Sequence, residues 1–154
     1  MIIRISTTIN APQPTVFDFF TNFPESAKVL HSAFKTEFVT PHTTGLGAEW
    51  TQYDGDPENP EIALHKVIAF KEPNSYSMTS DDQYALEAMD FKFVPSGNAT
   101  TVSFHLTIKP KSFFANIATT LFWFIIRNYM KKDLARMKHA IEAKRNAGPS
   151  SNPV

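Results

Sequence analysis

After Lys109-Pro110-Lys111 the apolar residues of this chain change their spacing from every second position to every third or fourth, and they keep it to about Ala143. That spacing predicts a closing helix of roughly thirty residues, about 45 Å long at 1.5 Å per residue. Its main stripe is Thr119, Trp123, Ile126, Met130, Leu134, Met137 and Ile141; a second strip, Ile117, Leu121 and Phe124, occupies the first half alone. A helix that is one-sided late and apolar nearly all round early must be covered on more than one side at its start, by a sheet and by loops, a ligand or a partner.

The chain ahead of it supplies the sheet. Ile3, Ile5 and Ile9 alternate with Arg4, Ser6 and Thr8, the pattern of a strand with one buried face. Asn10-Ala-Pro-Gln-Pro-Thr breaks that strand, and Pro14 suits the first turn of a short helix carrying Val16, Phe17, Phe20 and Phe23. Pro24 is expected to stop it, and a second helical piece follows over about Glu25 to Leu30. Strands are then expected at Phe34 to Thr40, with Phe34, Thr36 and Phe38 on one face, and at Ala48 to Asp54, Ile62 to Phe70 and Ser75 to Ser80. Tyr84 to Val94, the turn Pro95-Ser-Gly-Asn, and Thr100 to Lys109 form the clearest hairpin, with Val102, Phe104, Leu106 and Ile108 sharing a face.

Sequential antiparallel strands need only short turns, so this order predicts an α+β domain with a seven-stranded curved antiparallel sheet. The sheet wraps around the long C-terminal helix, with two short helices after strand 1. One domain over residues 1–145 and a flexible tail over 146–154 are expected. One amphipathic helix cannot cover a concave seven-stranded face evenly, and a cavity is the natural outcome where the sheet curls away.

Composition narrows the function. Fifteen basic and fifteen acidic residues cancel, leaving no long-range field to gather nucleic acid or an anionic membrane. Cysteine is absent, which removes disulfides, thiolate nucleophiles and Cys-ligated zinc together. The five histidines, His31, His42, His65, His105 and His139, show no spacing that seats a metal on one helix face, so neither metal nor cofactor is expected. Gly45-Leu-Gly lacks the further glycine and the strand-to-helix setting of a phosphate loop and reads as a hairpin turn. The Met-Ile-Ile-Arg-Ile-Ser start has no secretory pattern, and a cytoplasmic location is expected. The most apolar run, Phe113 to Ile126, is shorter than the roughly twenty residues that a transmembrane helix requires, and it is expected to be a buried helix with some room for contact with a partner or a membrane surface. Phenylalanine is the excess, at 14, and fits either a dense core or a ring-lined pocket.

Three local patterns add a resemblance. Ala11-Pro-x-Pro-x-Val-Phe-Asp-Phe-Phe20 follows the first strand, Gly45-Leu-Gly-Ala-Glu-Trp50 opens the third, and Glu72-Pro73 separates two others. With the long terminal helix, they resemble the START/Bet v 1-like (SRPBCC) superfamily of the helix-grip fold, in its polyketide cyclase/dehydrase-like branch, over about residues 1–145. The resemblance implies binding of lipids, sterols, polyketides or other hydrophobic ligands, with cyclisation, dehydration or hydrolysis in a minority of members. It transfers no functional residue.

The candidate site residues are polar groups on faces otherwise held by apolar ones. Glu87 alternates with Met89, Phe91 and Phe93; among rings its carboxyl would serve as an acid or base near neutral pH, whereas at the strand end it would lie in solvent or in an ion pair. His65 shares a face with Val67 and Ala69, as a satisfied or exposed histidine or as a catalytic one. Trp50, Gln52 and Asp54 share one face of their strand, with Glu49, Thr51 and Tyr53 on the other; Trp50 or Tyr53 could give a pocket an aromatic wall with a polar tip. Phe104, Thr119, Trp123, Ile126 and Met130 complete the expected lining. Arg127 would either hold a ligand carboxylate or lie on the surface. Lys131, Lys132, Arg136, Lys138, Lys144 and Arg145 form a solvated basic face or meet an anionic membrane or acidic partner.

Three readings follow. The first is a binding module for a hydrophobic small molecule. The second is a cyclase/dehydratase-type enzyme using Glu87 or His65 as acid/base and Tyr53 as donor. The third is an interaction domain, such as a homodimer, docking through the apolar start of the terminal helix.

Overall fold

A computed structural model describes residues 1–30 and 33–147. His31 and the expected tail beyond residue 147 lie outside the described residues. Seven strands, β1 (Ile2–Ile9), β2 (Ala33–Phe38), β3 (Glu49–Asp56), β4 (Asn59–Lys71), β5 (Ser75–Asp81), β6 (Ala85–Ser96) and β7 (Ala99–Pro110), form one antiparallel sheet in the order β1-β7-β6-β5-β4-β3-β2. Two helices, α1 (Gln13–Thr21) and α2 (Phe23–Ser26), and a single 3₁₀ turn (Ala27–Val29) lie between β1 and β2. Two more, α3 (Phe113–Leu121) and α4 (Trp123–Asn146), close the chain, so the molecule has the α+β helix-grip architecture.

The strands are amphipathic, as their period requires. On β7, Val102, Phe104, Leu106 and Ile108 are buried, while their neighbours are exposed or half-buried. Gly97, with φ +61°, supplies the left-handed residue of the β6–β7 turn that a side chain would strain. The core has two centres. In the first, Phe17 and Phe20 of α1 meet Phe93, and Leu134, Met137 and Ile141 of α4 close over the same cluster. In the second, Ile3, Phe104, Leu106 and Ile108 pack with Ile126 and Met130 from the first turns of α4.

Three local expectations are corrected. Pro24 does not stop a helix; it sits in the first turn of α2, where its missing N–H and fixed φ suit a helix start, and α1 ends at Thr21 with Asn22 as its C-cap. Phe34 does not share the inner face with Thr36 and Phe38. A bulge between Ala33 and Lys35 leaves it half-exposed, with its ring beside Tyr53. The terminal helix is two helices rather than one, broken at Phe122 with φ −98° and ψ 12°. Just before the break, the Thr119 hydroxyl donates to Ala115 O at 2.7 Å and the Thr120 hydroxyl to Asn116 O at 2.8 Å. Such back-bonding competes for the carbonyls of the preceding turn and bends helices.

The second half of α4 is tied to the end of β1. Lys138 Nζ donates to Thr8 O at 2.6 Å, Asn10 N donates to Glu142 Oε1 at 2.8 Å, and Arg145 Nη1 donates to Asn10 Oδ1 at 2.9 Å. Glu142 stays below the usual carboxylate range because the Asn10 amide donates to it, with Lys138 and His139 adding to the effect.

Candidate functional site

The sheet register places Trp50, His65, Ser80, Glu87 and Ile108 in one row across β3 to β7, each residue directly opposite the next. Directly opposed side chains on one face have Cβ atoms about 4.5–5.5 Å apart. The row therefore carries an aromatic ring, an imidazole, a hydroxyl and a carboxyl side by side on the concave face. Sequence reasoning singled out His65 and Glu87 separately; Ser80, which lies between them, was missed because only the register brings it there.

Trp50 is buried between two flat groups. Phe23 stacks on it at 4.4 Å and 26°, and His65 at 5.2 Å and 14°. His65 is 7% exposed, and neither ring nitrogen has a hydrogen-bond partner among the described residues. It is neither a satisfied core histidine nor an exposed one. Burial pulls its imidazole down to about 4, against the opposing charges of Asp54 and Asp82, so the ring is neutral at pH 7. Glu87 is half-buried, and burial pushes its carboxyl up to about 7, helped by the charge of Asp82. Asp82 is fixed by the β5–β6 turn, whose Tyr84 and Ala85 amides donate to its Oδ1 at 2.6 and 2.7 Å. Gln52 Nε2 donates to both carboxylate oxygens of Asp54, at 3.1 and 3.0 Å.

Next to this polar row the concave face is apolar. Met89 and Phe91 remain half-buried and join Phe104, Ile126 and Met130 in the second core centre. Phe91 lies between Tyr76, stacked at 4.6 Å, and Phe104, at 4.7 Å. Tyr76, which the sequence reading passed over, is fully enclosed, and burial drives its hydroxyl far above the ordinary tyrosine range. Phe93 lies deeper, against Phe17 and Phe20.

Other candidates lie elsewhere. Tyr53 is on the outer face, as its alternation from Trp50 and Gln52 dictates, and its hydroxyl donates to Glu37 Oε2 at 2.8 Å with Lys35 over its ring. It cannot reach the concave row. Trp123 is half-exposed in a shallow surface groove of about 260 Å³ with Phe124, Arg127, Asn128 and Lys131. The Arg127 guanidinium lies over its ring, 5.7 Å from the centroid, and is a surface group of that groove. Thr119 spends its hydroxyl on the backbone of α3. Among the described residues there is no group of three His, Asp or Glu that could hold a metal, and no helix is long and apolar enough to cross a membrane.

No protein-family model matches the sequence, and no curated protein is recognisably similar to it. Solved structures are similar in fold. The Zhui aromatase/cyclase from Streptomyces sp. R1128 superposes with a TM-score of 0.79 at 9% identity, covering 100% of this chain and 99% of that one. TTHA0849 from Thermus thermophilus gives 0.76 at 17% identity, covering 94% and 99%. Ara h 8.0201 gives 0.69 at 11% identity, covering 93% and 98%. At these identities what is shared is the fold, the helix-grip arrangement described above.

Proposed function

We propose that this chain binds a hydrophobic small molecule against its concave face, between strands β3 to β7 and the first turns of α4. One observation carries the reading: His65 is buried with both nitrogens unpartnered, while Glu87, Met89 and Phe91 on the same face stay partly exposed. A buried polar group without a partner costs on the order of 1–3 kcal/mol, which a ligand hydroxyl or carbonyl would offset. Met89, Phe91, Phe104, Ile126 and Met130 supply apolar contact, and His65, Ser80 and Glu87 set the orientation. The charges of Asp54 and Asp82, which act on the imidazole, disfavour an anionic ligand end. The ligand is therefore a neutral molecule with an oxygen at one end. Because one protein of the same fold is an aromatase/cyclase, phenolic and polyketide-like compounds are the first class to test.

Native mass spectrometry of the protein purified from its own host should show a co-purifying apolar compound. A neutral phenol or aromatic ketone, titrated against Trp50 fluorescence, should bind at least tenfold more tightly than its carboxylate analogue, and His65→Phe should weaken binding of the neutral compound. Equal binding of the two forms, or no binding of either, would overturn the reading.

A second reading is favoured by Glu87 alone. A carboxyl that titrates near 7 on the same row as a neutral imidazole suits proton transfer to and from a ligand oxygen or its neighbouring carbon, as cyclisation and dehydration demand. Glu87→Gln should then abolish turnover of a compound it still binds. Unchanged turnover would leave the binding reading and remove this one.

A further inference from the structure

The apolar run expected to be a buried helix is exposed along α3, where none of the residues Phe113–Leu121 is buried. Phe113 and Phe114, at the first turn of α3, are 73% and 81% exposed, with their rings edge to face. Leu121, Phe122 and Phe124 around the helix break are also exposed. Water-soluble surfaces rarely gather so many large apolar groups unless something covers them.

The charges beside this patch identify the cover. Between Asp90 and Asp133 the sequence contains no Asp or Glu. Within that stretch Lys111 is engaged with Asp81, but Arg127, Lys131 and Lys132 have no acidic partner among the described residues. Arg127 and Lys131 line the groove that also holds the rings of Trp123 and Phe124. Exposed aromatic rings on α3, a half-exposed Trp123 and cations without an acidic partner on the following turns of α4 are the ingredients of a surface that meets an anionic bilayer. The molecule as a whole has no net charge, so this is local segregation and not a general basic character.

We infer that α3 and the first three turns of α4 dock onto an anionic membrane surface. Phe113, Phe114 and Leu121 enter the acyl boundary, and Arg127, Lys131 and Lys132 lie at the lipid phosphates. The helix does not cross; it lies in the interface.

The test needs no ligand for the concave site and is independent of it. Wild-type protein should co-sediment with phosphatidylcholine vesicles containing phosphatidylglycerol and much more weakly with pure phosphatidylcholine vesicles. Each cation contributes about fivefold to the partition coefficient, so Lys131→Glu with Lys132→Glu should weaken binding at least tenfold. Salt at about 0.5 M, where the Debye length is about 4 Å, should do the same. Phe113→Ser with Phe114→Ser should also lose at least tenfold, with an unchanged melting temperature because both rings are already in water. Brominated lipids should quench the fluorescence of the Trp50→Phe variant, in which Trp123 is the remaining tryptophan. Equal binding to neutral and anionic vesicles, or no binding to either, would overturn the inference. So would a dimer in sedimentation velocity that the two Phe→Ser changes dissolve while vesicle binding persists, because the patch would then be covered by a second copy.

Discussion

Trp50 and His65 face each other directly across β3 and β4, with their rings 5.2 Å apart and within 14° of parallel. The indole shields the imidazole from water on one side and offers it no acceptor, so the histidine is held neutral. Two strands away on the same row, Glu87 is held partly protonated. The pair meets pH with opposite signs.

Stability should expose this. In the folded protein the proton on Glu87 is bound more tightly than in the unfolded chain, so its contribution is greatest below about pH 4.5 and is lost as pH rises through about 7. The proton on His65 is bound less tightly, so its contribution is complete above about pH 6.5 and is lost as pH falls through about 4. The wild type should show a flattened profile between those limits. Glu87→Gln should unmask a loss of stability on acidification and gain about 1–3 kcal/mol at pH 8; His65→Phe should unmask the reverse slope. Urea denaturation as a function of pH measures both, and parallel profiles for all three proteins would refute the assignment.

The two tryptophans should separate spectroscopically. Trp50 is 4% exposed and Trp123 is 41% exposed. Iodide should quench a red-shifted fraction that vanishes in Trp123→Phe and leave the blue-shifted emission of Trp50 intact. A single quenching constant for the wild type would contradict the packing around Trp50.

Phe17 joins α1 to three strands, its ring meeting Phe70, Tyr76 and Phe93 edge-on. Phe17→Ala should cost about 3–5 kcal/mol in equilibrium unfolding, because the ring is fully buried and its removal leaves a cavity among the other three. A loss below about 1 kcal/mol would mean that α1 collapses onto the sheet without it.

The tie at the far end of α4 should be local. Glu142→Ala removes the acceptor of the Asn10 amide, and about 0.5–1.5 kcal/mol should be lost. Hydrogen exchange should quicken at Asn10 and in the last turns of α4 while β7 keeps its protection.

The meander was legible because each strand alternates cleanly and each turn carries Gly, Pro, Asn or Asp; Val102 to Ile108 could face only one way. The break at Phe122 was not read, although Thr119-Thr120 held the signal, because an apolar stripe says nothing about where a hydroxyl will bond. The bulge at Phe34 escaped for a related reason: alternation assumes equal numbers of residues on paired strands. Counting in twos put Glu87 on the same face as Met89 and Phe91. The burial of His65 depends on Trp50 and Phe23, which lie far from it in sequence, and Ser80 joins the site only when β4, β5 and β6 are set in register.

Helix α4 is held differently at its two ends. Its last turns are clamped to Thr8 and Asn10 by hydrogen bonds, whereas its first turns follow a kink and rest on apolar contact, Ile126 and Met130 packing with Met89 and Phe91. Over 24 residues, about 36 Å, a tilt of about five degrees at the clamp would move the other end about 3 Å. The directional bonds at Asn10 therefore set the angle at which Ile126 and Met130 meet the sheet, and with it the room left beside Met89 and Phe91.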